Sequence, residues 1–76
     1  MKDTGEQKPK IHIYDFVSAE LKFFRDNCNF SADELTYFNL RAKHYSNLQI
    51  AIEMNVSEGK VSKLAKSVKQ KILKVL

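Results

Sequence analysis

Apolar residues fall in four runs at helical spacing, separated by short polar breaks. In the first, Tyr14, Val17, Leu21, Phe24 and Cys28 recur at alternating steps of three and four, the stripe of an amphipathic helix, and Phe16 and Phe23 widen it. The spacing predicts a helix over about 15–27, with either Asp15 or Ser18 suited to cap its start and Asp26-Asn27-Cys28-Asn29 ending it. Ser31-Ala32-Asp33-Glu34 then reads as a capping box, in which the Ser31 hydroxyl accepts from the Glu34 amide and the Glu34 carboxylate accepts from the Ser31 amide. Phe30 is placed to staple that start onto Leu35. The second helix, about 32–43, should bury Leu35, Phe38 and Ala42, with Tyr37 and Leu40 partly inside.

Ser46 opens a short third helix, about 47–54, burying Ile50, Ala51 and Met54. Asn55 suits the left-handed residue that closes it, since Asn tolerates positive φ better than most residues. Ser57 then caps a fourth helix, about 58–75. On a wheel of about 100° per residue, Val61, Leu64, Ala65, Val68, Ile72, Val75 and Leu76 share one arc. Lys60, Lys63, Lys66, Lys71 and Lys74 share the opposite arc with Ser67 and Gln70, Lys69 lies at the border, and Leu73 is stranded near the polar side. Residues 1–10, MKDTGEQKPK, show no such period and read as a disordered polar tail ahead of one domain at 11–76.

Composition agrees with an all-α, four-helix domain. Two Gly and one Pro among 76 residues are too few for the turns of an all-β fold. Charge is distributed unevenly. Residues 1–45 hold seven Lys/Arg and seven Asp/Glu, whereas 46–76 hold six Lys and two Glu, so the whole net charge of +4 lies in the second part. A lysine arc is often only a solvated face. Here acids vanish after Glu58, small or short residues (Gly59, Ser62) open the helix, and a short helix with a tight break precedes it. That is the layout of a helix-turn-helix whose second helix enters a DNA groove. Ala51 adds to it, as a small residue where the two helices would cross closely.

Other chemistries find little material. Cys28 is the only cysteine and sits on an apolar stripe, which fits a buried small side chain in a reducing, cytoplasmic setting. His12 and His44 have no neighbouring ligands at metal spacing, no catalytic triad or phosphate loop can be assembled, and no apolar run reaches the length of a membrane span. An enzyme, a cofactor, a metal site, a small-molecule substrate and a membrane partner are therefore not expected.

The segment FSADELTYFNLRAKHYSNLQIAIEMNVSEGKVSKLAKSVKQKIL, residues 30–73, resembles the helix-turn-helix of LuxR-type regulators and of the C-terminal, promoter-reading domain of bacterial sigma factors. Phe30-Ser31 match the family's Leu-Thr opening and Glu34 its recurrent acid. Phe38 and Leu40 match paired apolar positions, Ser46-Asn47 with Gln49-Ile50-Ala51 match Ser-Asn-x-Glu-Ile-Ala, and Val56-Ser57-Glu58-Gly59-x-Val61 matches the turn and helix entry. His44 and Asn55 stand where the family has Gly, and Lys60 where it has Thr. A helix ahead of this core makes the layout sigma-like. The resemblance implies a small bacterial or phage-like transcriptional regulator binding double-stranded DNA. Ser62, Lys63 and Lys66 would face base edges, Ser46, Ser57 and Lys60 would meet phosphates, and Gln70, Lys71 and Lys74 would follow the backbone. A homodimer is compatible with this reading. The alternative is an adaptor of the same fold that binds RNA polymerase or another regulator, with Phe23, Tyr37 and Leu73 marking its surface.

Overall fold

The computed structural model describes residues 12–76, so the tail expected at 1–10 lies outside the described residues. A 3-10 turn at Ile13–Asp15 leads into α1 (Ser18–Asn27), α2 (Ala32–Ala42), α3 (Asn47–Met54) and α4 (Glu58–Val75), with no strand among the described residues. The all-helical class and the last three helices agree with the periodicity to within a residue.

The first helix is shorter than expected. Phe16 and Val17 are extended, at φ −75° ψ 140° and φ −81° ψ 168°, which breaks the stripe between Tyr14 and Leu21. Neither Asp15 nor Ser18 caps α1. The Glu20 carboxylate instead accepts the Val17 amide at 2.9 Å, a capping bond supplied from inside the helix. Val17 therefore points to solvent, while Phe16 stacks on Phe24 with ring centroids 4.9 Å apart.

The predicted capping box at Ser31 forms, and Ser46, expected only as a cap, makes a second one with Gln49. Ser31 Oγ accepts the Glu34 amide at 3.3 Å and Glu34 Oε1 accepts the Ser31 amide at 2.9 Å; Ser46 and Gln49 repeat the exchange at 3.1 and 2.9 Å. Helices α2 and α3 end alike. His44 (φ 70°) donates to Arg41 O at 3.0 Å and Tyr45 to Leu40 O at 3.3 Å; Asn55 (φ 58°) donates to Ile52 O at 3.2 Å and Val56 to Ala51 O at 3.0 Å. Each is the paired closure of a Schellman motif, which needs its central residue left-handed. His44, placed by its sequence context as the cap of α2, fills that position without glycine. Asn29 (φ 55°), last of the four residues expected to end the first helix, is left-handed too, between α1 and α2.

The core lies where α4 packs across α2 and α3. Phe38, Ile50, Val61, Val68 and Ile72 are fully buried, with Phe24, Cys28, Tyr37, Ala51 and Leu64 beside them. Phe30 packs on this core, its ring 5.0 Å from that of Phe38. Three details depart from the wheel. Leu35, Ala42 and Met54 are only half-buried, Tyr37 is 4% exposed rather than peripheral, and Leu76, at the last position of the chain, is solvent-exposed. Leu73 is exposed, as its stranded position implied.

Candidate nucleic-acid interface

Helix α4 is about 27 Å long at 1.5 Å per residue and turns two different faces outward and inward. Its start is fixed by Ser57 Oγ, which accepts the Lys60 amide at 3.1 Å. Its approach to α3 is permitted by the buried Ala51. Val56, half-buried against the core, and the left-handed Asn55 make the sharp joint between the two helices.

On the outer face, Ser62, Lys63, Lys66, Lys69, Gln70 and Lys74 are exposed. Among the described residues none of Lys63, Lys66, Lys69 and Lys74 forms an ion pair. Asn47, Ser62, Lys66, Lys69, Gln70 and Leu73 border a shallow groove between the start of α3 and α4. Ser46 and Ser57 stand exposed at the N-termini of α3 and α4, where free amides and the helix dipole favour anions. Lys60 is exposed too, but its Nζ lies 3.7 Å from Asp33 Oδ2. A surface pair at that distance contributes little and is readily exchanged.

Lys71 is different. It was assigned to the outer arc, yet its Nζ turns back to α2, 2.5 Å from Glu34 Oε1, and donates to Asn29 O at 3.2 Å. Ser67 Oγ donates to the other oxygen, Glu34 Oε2. Together with the Ser31 amide, three groups converge on one carboxylate that is 7% exposed. Burial pushes the Glu34 carboxyl up. The hydrogen bonds from Lys71, Ser67 and the Ser31 amide, with the Lys71 charge, outweigh it and hold the pKa at about 2. Burial raises the Cys28 thiol, with Lys71 acting in the opposite direction. Lys71 is thus a fold-holding cation, and the outer lysine set loses one member.

The sequence could place Glu34 in its capping box but not beneath α4, because no local period links position 34 to positions 67 and 71. Asn47 and Lys69 were also missed as groove residues. Lys69 sits at the border of the wheel, and only the placement of α3 makes that border concave. Among the described residues no group of three His, Cys, Asp or Glu side chains could hold a metal ion, and no helix is long and apolar enough to cross a membrane. No family model, curated protein or solved structure matches the chain.

Proposed function

We propose that α3 and α4 form a helix-turn-helix that binds double-stranded DNA, with the first half of α4 in the major groove, as a small sigma-factor-like or LuxR-like regulator of transcription. The observation that carries this reading is the one-signed outer face of α4. Four lysines are exposed and without ionic partners among the described residues, and the helix that bears them is propped outward by a short helix and a left-handed joint. Such a face attracts polyanions by releasing their condensed counterions. Ser62, Lys63 and Lys66 meet base edges, and lysine donates to guanine O6 and N7. Ser46, Ser57, Lys60, Gln70 and Lys74 meet the backbone; Lys71 does not, being committed to Glu34.

A second reading has its own observation. Phe23 and Leu73 are exposed apolar residues, which favours an adaptor that docks on RNA polymerase or another regulator. Tyr37 no longer supports that surface, since it is buried.

Binding-site selection and salt titration separate the two. Lys63→Ala or Lys66→Ala should cost about 1–3 kcal/mol and flatten sequence preference. Lys74→Ala, over two turns further on, should weaken all sequences alike and lower the salt slope by about one. Unchanged preference in all three variants would remove α4 as the reader. Unchanged affinity in all three would leave the adaptor.

A further inference from the structure

A second concavity lies beside the 3-10 turn, where α2, α3 and α4 meet. It encloses about 230 Å³ and is lined by Arg41, Lys69, Asn47, Tyr37, Ile13 and Ile72 among others. That is below the ~300–1,000 Å³ of sites for drug-sized ligands, so its occupant is small. Ile13, Tyr37 and Ile72 are buried, Arg41 is half-buried, and Asn47 and Lys69 are exposed, which sets an apolar floor beneath a polar rim.

Its charge has one sign. Among the described residues, two cations line the cleft and no carboxylate does. Neither Arg41 nor Lys69 forms an ion pair among the described residues. Arg41 is held in place without being neutralised: Nη1 donates to Tyr45 O at 2.6 Å and the guanidinium lies over the Tyr14 ring at 5.1 Å. The second observation is Tyr37. It is 4% exposed, yet its hydroxyl makes no hydrogen bond among the described residues. A buried phenol without a partner is costly and uncommon. Burial pushes the Tyr37 phenol up and the Arg41 charge acts against it; both residues line the same cleft.

We propose that this cleft is a binding site for a small organic carboxylate. Arg41 and Lys69 hold the carboxylate, the Tyr37 hydroxyl donates to it, and Ile13 and Ile72 cover a short hydrocarbon part. Inorganic phosphate shares the oxyanion chemistry but has nothing to place on the apolar floor. The site does not rest on DNA binding, and no DNA enters its test.

Backbone-amide NMR titrations with butyrate and, separately, with inorganic phosphate at fixed ionic strength test it. Butyrate should give saturable shifts at Ile13, Arg41 and Lys69, and bind more tightly than phosphate. Tyr37→Phe and Lys69→Gln should each weaken butyrate about tenfold, the loss of one charge-assisted hydrogen bond. Without ligand, Tyr37→Phe should melt no lower than the parent, because its hydroxyl has no partner to lose among the described residues. A lower melting temperature in that variant would overturn the proposal by giving the hydroxyl a structural role. So would the absence of saturable shifts, butyrate affinity unchanged from the parent in either variant, or phosphate binding as tightly as butyrate.

Discussion

Replacing Glu34 by Gln should remove the most pH-sensitive contact of the fold while leaving its shape. The amide oxygen keeps an acceptor for the Ser31 N–H, and the amide NH2 would face Ser67, whose hydroxyl can turn to accept it. The neutral amide cannot, however, balance Lys71, whose Nζ sits 2.5 Å from the present carboxylate. Holding a carboxyl at about 2 instead of its ordinary 4.5 corresponds to an upper figure of ~3 kcal/mol favouring the folded state. The Lys71 side chain is 34% exposed, and solvent screening there brings the figure to roughly 1–2 kcal/mol. The sign follows from the depressed folded value. The contribution is complete above the unfolded pKa of 4.5 and declines as pH falls toward about 2. Urea denaturation followed by far-ultraviolet circular dichroism at pH 7 and pH 3 measures it. The parent should lose stability between these values, and Glu34→Gln should lose roughly 1 kcal/mol less, having begun roughly 1–2 kcal/mol lower at pH 7. Lys71→Met should resemble it in stability at pH 7 while leaving DNA affinity intact at temperatures where the variant is folded. If Glu34→Gln kept the full acid loss of the parent, the carboxylate would not be the group that titrates, and the converging bonds would carry no net stability.

The helix crossing and the cap give two further tests. Ala51 is 5% exposed where α3 meets α4, so Ala51→Leu should overpack the crossing and cost ~1–3 kcal/mol in chemical denaturation; a neutral result would mean the helices are not so close. Ser57→Ala removes the acceptor of the Lys60 amide and should cost roughly 0.5–2 kcal/mol, with DNA affinity falling as the start of α4 frays; unchanged values for both would move the helix start elsewhere.

Much of this fold was legible because its signals are local. Ser31 with Glu34, Ser46 with Gln49, and Ser57 before an acid-poor amphipathic run are each complete within four or five residues, and each marks a helix start where one occurs. The start of α1 was misread for the same reason. Its cap comes from Glu20 within the helix, and the apolar spacing continues through Phe16 and Val17 although the backbone there is extended. Burial at helix ends was also hard to read. Leu76 lies on the apolar arc, yet it is exposed, beside Phe23 and Phe24 of α1. At the outer face, residue type and spacing identified Ser62, Lys63 and Lys66 as exposed, since a helical wheel fixes direction. The wheel cannot tell which polar residues face another helix. That is why Lys71 and Ser67 passed for surface groups, and why the cleft at Arg41, Lys69 and Tyr37 had no counterpart in the sequence.

Asn29, His44 and Asn55, the left-handed residues at the three joints, also govern how easily one molecule could trade parts with another. A side chain held at positive φ keeps a small conformational penalty that a straight helix would not carry, less for Asn than for most residues. Opening the Asn55 joint would let α3 and α4 merge into one long rod and release that penalty. The lodging of α4 against Ile50, Ala51 and Phe38 opposes it, together with the closing bonds of Asn55 and Val56 and the Ser57 cap. A variant that loosens this lodging therefore does more than lower a melting temperature. It favours a reciprocal exchange in which the last helix of each copy completes the other, with the hinge at a single asparagine.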